Sequence, residues 1–235
     1  MDLTAILRSI KNPVLDFVYP PVCIACQTPL QHSKHRICDE CWNSIGRLST
    51  VHPLYQDTRR KLLAGGYVSD LVSVFVFEKE GAFQHIAHAL KYGGYESIGR
   101  DLGMKLVENI IAWGMHADYL VPIPLHKAKQ RERGYNQAEQ IARGVSSVAG
   151  IQVLSGVVKR VKHTQTQTQL DSDERKKNMQ DAFAINDSRA KLLQRKTCLL
   201  IDDVITTGAT INSCARELLK AGASRVIAAS AALAQ

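Results

Sequence analysis

The chain has 235 residues, 45% of them hydrophobic, enough for one ordinary domain with a small appendage or for two small domains, and too many for a disordered chain. Its 30 Lys and Arg against 22 Asp and Glu leave a net charge of +8, which suits an anionic partner, either nucleic acid or a substrate carrying several phosphates, without choosing between them. No stretch approaches the roughly 18–20 uninterrupted apolar residues of a membrane span, and Asp2, Arg8, Lys11 and Asp16 break any signal-peptide core, so a cytoplasmic location is expected.

Leu3, Ile6, Leu7 and Ile10 fall at helical spacing behind Asp2, which predicts a short N-terminal helix packed on the rest of the protein. Residues 20–60 lack regular apolar periodicity and hold Pro20, Pro21, Pro29, Pro53 and four of the six cysteines. Cys23-x₂-Cys26 and Cys38-x₂-Cys41 are separated by 11 residues. Each Cys-x-x-Cys turn places two thiolates on one ion, and two turns complete a closed, tetrahedral and therefore structural site. Zinc is the natural ion, with iron the alternative that thiolates also suit. His32 and His35 lie between the pairs as competing donors, but four thiolates suffice. Without an export signal this cluster reads as a metal site rather than a disulfide framework. Residues 1–60 thus form an N-terminal helix and a four-cysteine zinc-ribbon module.

Residues 67–235 read as an α/β domain. Residues 73–77 are a β-branched and aromatic strand, and 83–90 and 98–113 show helical spacing, with Gly93-Gly94 between them. An alternation follows: strand 119–123, helix 136–148, strand 153–158, a polar stretch 159–181, strand 183–185, strand 198–201, helix 209–220 and strand 226–232. Such alternation predicts a mostly parallel sheet with helices on its faces, and ligands bind such sheets at the carboxyl ends of the strands.

One strand end carries a specific chemistry. The apolar run Leu199-Leu200-Ile201 stops at Asp202 and Asp203, and Thr206-Thr207-Gly208-Ala209-Thr210 then leads into a helix. Small residues let backbone approach a phosphate. The unpartnered N–H groups of a first helical turn attract an anion, and the threonines add hydroxyls. Ionised carboxylates only accept hydrogen bonds, so a pair beside a phosphate fits the vicinal hydroxyls of a sugar. The stretch therefore reads as a site for a ribose bearing a 5′-phosphate.

This motif resembles the signature of type I phosphoribosyltransferases. The chain as a whole resembles the ComF/GntX family, which joins a zinc ribbon to a phosphoribosyltransferase-like domain and is linked to competence and DNA utilisation. The resemblance rests on Tyr19-Pro20-Pro21-Val22-Cys23-Ile24-Ala25-Cys26, Leu90-Lys91-Tyr92-Gly93-Gly94, Val121-Pro122-Ile123-Pro124-Leu125-His126, Arg131-Glu132-Arg133-Gly134-Tyr135-Asn136-Gln137 and the Asp-Asp motif. It implies a type I phosphoribosyltransferase fold, phosphoribosyl pyrophosphate as ligand, and Mg²⁺ bound with its pyrophosphate. It also implies a pyrophosphate loop at Leu125, His126 and Lys127, with Lys129, Arg131 and Arg133 as flanking cations. The segment 159–178, with Arg160 at its start, would be a lid over the sugar. Asp202 and Asp203 would anchor the ribose and stabilise positive charge developing at the anomeric carbon. Some relatives carry further cysteine pairs; residues 42–66 hold none, so one metal site is expected. The acceptor is unassigned, and the alternative is a non-catalytic phosphoribosyl- or DNA-binding accessory module. Single-stranded DNA or DNA-processing proteins are the partners the resemblance suggests. Arg36, Trp42 and Arg47 offer stacking and phosphate contacts, though packing of the ribbon on the main domain is the stronger reading. Lys91 and its neighbours have no role beyond contact with an anion.

Overall fold

The computed structural model describes residues 21–30, 36–161 and 182–235. The helix expected behind Asp2, His32, His35 and the lid beyond residue 161 lie outside the described residues. Five parallel strands, β1 (Asp70–Phe77), β2 (Tyr119–Pro122), β3 (Gln152–Val153), β6 (Thr197–Ile205) and β7 (Arg225–Ala234), form one sheet in the order β1-β7-β6-β2-β3. β4 (Val158–Arg160) and β5 (Phe183–Ile185) make a separate antiparallel pair. The helices are α1 (Asp39–Ser44), α2 (Pro53–Ala64), α3 (Ala82–Tyr92), α4 (Glu96–Ala112), α5 (Lys127–Arg133), α6 (Gln137–Ala149), α7 (Asp187–Ala190) and α8 (Ala209–Lys220).

Strand alternation builds two cores. Leu199 and Ile201 of β6 pack on one face with Leu90 of α3, Leu102 of α4 and Ile141 of α6. Cys198 and Leu200 point to the other face, towards Leu62 of α2 and Ile211 and Cys214 of α8. A strand buried on both faces needs a continuous apolar run, which is what residues 198–201 supply.

Three expectations change. The strand expected over 153–158 is two strands in two sheets: β3 ends at Val153, the chain turns through Gly156 at φ +70°, and β4 starts at Val158. Leu154 and Val157 are buried in the same core although neither is in a strand, so their apolarity reports packing and not sheet membership. The basic loop after β2 is helical, because His126 Nδ1 accepts the Ala128 N–H at 3.2 Å and starts α5. Residues 53–64, which overlap the stretch 20–60 that shows no regular apolar period, are α2: Pro53 stands in its first turn, and Tyr55, Thr58 and Leu62 bury one stripe.

The cysteine-bearing segment packs on the sheet. Leu48 N donates to Val74 O (2.7 Å) and Val76 N to Gly46 O (2.8 Å), so residues 46–48 run antiparallel along the outer edge of β1. Trp42 stacks on Phe75, ring centroids 5.8 Å apart, and is 8% exposed. That burial withdraws Trp42 from base stacking. Arg47 pairs with Glu108 at 2.5 Å, and Arg36 lies over Tyr95. Cys23, Ile37, Cys41, Trp42 and Ile45 share one core with the sheet and α3, α4 and α6. Trp42→Ala is expected to lower the unfolding free energy by about 3–5 kcal/mol, measured by urea titration.

Candidate functional site

The carboxylates lie where the sheet opens. The β6 helix, α8, leads to β7 on one side, while the β2 helix, α6, leads to β3 on the other. The gap between the ends of β6 and β2 is therefore a topological switch point, the position at which sheets of this kind hold ligands. Pro122 pairs with Ile201, Ile123 N donates to Ile201 O at 2.9 Å, and the β2 chain then leaves. β6 continues beside β7 alone, Asp202 opposite Ser230 and Ile205 opposite Leu233.

Asp203 is ion-paired: Lys91 Nζ stands 2.9 Å from its Oδ2, with the two side chains 28% and 17% exposed. Asp202 Oδ1 accepts the Asp203 N–H at 2.9 Å. Burial, and then the neighbouring Asp203 charge, push Asp202 from its ordinary value near 3.8 up to about 8, with Lys91 opposing. Arg160, on β4, has its guanidinium over the Phe183 ring at 5.4 Å. Burial lowers the Arg160 pKa, and this cation lies within electrostatic reach of Asp202.

The loop after β6 is shaped for close approach. Thr206, Thr207 and Ala209 are exposed and Thr210 is partly so, whereas Gly208 is buried. Gly208 sits at φ +73°, and a Cβ there would fall 2.4 Å from Leu62 Cδ2 of α2, so left-handed backbone and tight packing both demand glycine. Gly208 has no side chain with which to cap α8, and the Ala209 N–H donates instead to Thr207 Oγ1 at 3.4 Å.

The expected pyrophosphate loop holds a different shape from a coil. Leu125 and His126 are half-buried, and Lys127 and Arg131 are exposed on α5. Arg133 donates to Gln137 Oε1 at 2.9 Å and lies over the Tyr92 ring. Asn136 caps α6 by accepting the Ala138 N–H and donates to Ile123 O at 2.9 Å, fixing the loop to the end of β2. The Tyr135 hydroxyl donates to Leu90 O. Lys91, which sequence left without a role, thus belongs to the Asp pair. The available signal was a lysine in the last turn before a Gly-Gly break.

At the other end of the chain, the sulfurs of Cys23, Cys26, Cys38 and Cys41 lie within 4.8 Å of one another. Cys26 and Cys38 are 3.7 Å apart, near the ~3.8 Å edge of a tetrahedron with zinc–sulfur bonds of about 2.3 Å. Backbone N–H groups of Cys38 and Cys41 donate to the Cys23 and Cys38 sulfurs, as suits thiolates. Hydrogen bonds with Thr28 lower Cys26 to about 6. The four sulfurs fit one structural zinc ion.

A model of the phosphoribosyl transferase domain matches residues 131–234, and a model of the double zinc ribbon domain matches residues 14–52. The chain is 29% identical over 227 residues to Competence protein F of Haemophilus influenzae, covering 87% of this chain and 93% of that protein. It is 28% identical over 222 residues to DNA utilization protein YhgH of Salmonella typhimurium (88% and 94%). Competence protein ComFC of Bacillus subtilis is 26% identical over 211 residues (86% and 79%). Fold, cysteine cluster and domain matches together define a phosphoribosyltransferase-fold protein with an N-terminal zinc ribbon. Within that class, the chain is similar over most of its length to the competence protein F, ComFC and YhgH proteins.

Two measurements check these electrostatics. Asp202 has a raised folded pKa, so the unfolded chain releases its proton near pH 4 while the folded protein keeps it to about 8, and stability from this group is lost as pH rises between them. Asp202→Asn is therefore expected to stabilise the protein at pH 8 by at least about 1 kcal/mol more than at pH 5; equal shifts in chemical denaturation at both pH values would show Asp202 ionised in the fold. Elemental analysis is expected to find one zinc per chain, and Cys38→Ser to lose it.

Proposed function

We propose that this chain binds phosphoribosyl pyrophosphate with Mg²⁺ at the β6–β2 opening and serves DNA uptake or utilisation, as the names of its relatives describe for them. The observation that carries the reading is the switch point itself, where β6 carries a carboxylate pair and leads to the start of α8, and β2 leads into the basic helix α5. The sugar hydroxyls would donate to Asp203 and meet Asp202. The 5′-phosphate would take N–H and hydroxyl donors from Thr206, Thr207, Gly208, Ala209 and Thr210. The pyrophosphate would lie towards Leu125, His126, Lys127, Arg131 and Arg133, with Arg160 adding charge from β4.

The carboxylates and threonine hydroxyls are hard oxygen donors, which suit Mg²⁺. When bound, that ion would neutralise charge on the pyrophosphate. Transfer would break the bond between the anomeric carbon and pyrophosphate and form one to an acceptor, with positive charge on the sugar in between. Asp203 stands where negative charge and acceptor oxygens would stabilise it, with the Asp202 carboxyl beside it.

Titration calorimetry is expected to show binding of phosphoribosyl pyrophosphate in the presence of Mg²⁺. Asp202→Asn combined with Asp203→Asn should abolish it while leaving zinc content and folding intact; unchanged affinity would remove the ribose assignment. Pyrophosphate release with a panel of bases and DNA would define an enzyme, and binding without release an accessory protein.

A further inference from the structure

Leu90-Lys91-Tyr92-Gly93-Gly94 touches two walls of the site at once. α3 delivers Lys91 from its last turn, where the negative end of the helix attracts a cation. The preceding carbonyl is clamped: Leu90 O accepts from the Tyr135 hydroxyl and, at 3.4 Å, from Gln137 Nε2. Tyr92 lies beneath Arg133, 5.3 Å from ring centroid to guanidinium, and Arg133 is itself held by Gln137. Gly93 ends the helix where a Cβ would meet the Tyr95 ring at 2.7 Å and Ala89 O at 2.8 Å. Lysines usually leave their ammonium in water, and exposed pairs contribute little. Here the ammonium is drawn in to 2.9 Å from Asp203 by a helix that the pyrophosphate-loop motif ties down.

We propose that Lys91 is a positioning residue of the ribose-phosphate site: it fixes the Asp203 carboxylate for the sugar hydroxyls, and the Tyr135–Gln137 clamp holds Lys91 in turn. The inference rests on the ribose-phosphate reading above. Its chemistry is a charge problem. Two adjacent, partly buried carboxylates beside a phosphate shed charge by taking up protons, and a protonated carboxyl loses acceptor capacity. The groups facing Asp203 are Asp202 on its own strand and Lys91 from α3; Arg160 of β4 and Cys214 of α8 act on Asp202 from the other side. Lys91 is the cation in direct contact, so it sets where the Asp203 carboxylate stands.

The test is affinity for phosphoribosyl pyrophosphate with Mg²⁺, by calorimetry on the zinc-loaded full chain from pH 5.5 to 8. Each variant is expressed as a ratio to wild type, which cancels titration of the ligand. Lys91→Met is expected to bind about tenfold more weakly at pH 7. Lys91→Arg is expected to remain within about threefold of wild type at every pH, because a cation is restored. Lys91→Gln replaces Lys91→Met if zinc content or melting temperature shows that the latter does not fold. Wild-type affinity in the neutral variant overturns the proposal while leaving the ribose-phosphate reading in place. So does a deficit that Lys91→Arg does not rescue, which marks a merely structural lysine. Absence of binding by the wild-type protein removes the ribose-phosphate reading and this inference with it.

Discussion

β6 is longer than its neighbour β2, and the candidate site depends on that difference. Pro122 and Pro124 have no N–H to extend a ladder, and Leu120 O already accepts from Leu154 N, which shows that this set of alternate residues turns its backbone towards β3 and away from β6. Ile123 gives β6 its last hydrogen bond from this side, and the chain swings into α5. Two carboxylates that would be costly inside the sheet are thereby placed at its opened edge, flanked by β7 on one side only. The same departure leaves room for a ligand, because α6 and α8 run off in opposite directions.

Charge explains much of the remaining arrangement. A phosphate-binding loop and an acidic pair are poor neighbours unless the acids are restrained. Here one acid is held neutral by desolvation and the other is matched to a lysine, so the gap carries far less negative charge than its sequence suggests. Arg160 and the α5 cations add the opposite sign around it. The +8 balance of the chain is consistent with an anionic ligand, but it is this local cancellation that makes the opening hospitable to one.

Sequence made the parallel α/β class legible because a buried strand followed by an amphipathic helix repeats along the chain, and each unit is readable locally. The four-cysteine cluster and the Asp-Asp segment were legible for the same reason: their chemistry is contained in short, specific spacings. What escaped were features decided between distant segments. α2 is polar along most of its length and is held by three buried side chains against β1 and the α8 start, so its apolar period is weak. Residues 153–158 are apolar throughout most of their length, and only the turn at Gly156 reveals that they serve two sheets. Lys91 reads as an ordinary helix-end lysine until α3 and β6 are brought together, and Tyr135 reads as a core aromatic until its hydroxyl finds Leu90 O. The residues of 125–133 were expected as a loop from the resemblance, yet they form a short helix once His126 caps it.

Residues 46–48 occupy the outer edge of β1. β1 is eight residues long, strongly apolar in sequence, and would otherwise present a row of unpaired backbone groups to solution. The segment that covers it is anchored by Trp42 and by the four-sulfur knot just before it. An ion bound by these four sulfurs would hold the covering segment in place, and its loss would loosen that cover and open the β1 edge to strand addition by a second copy.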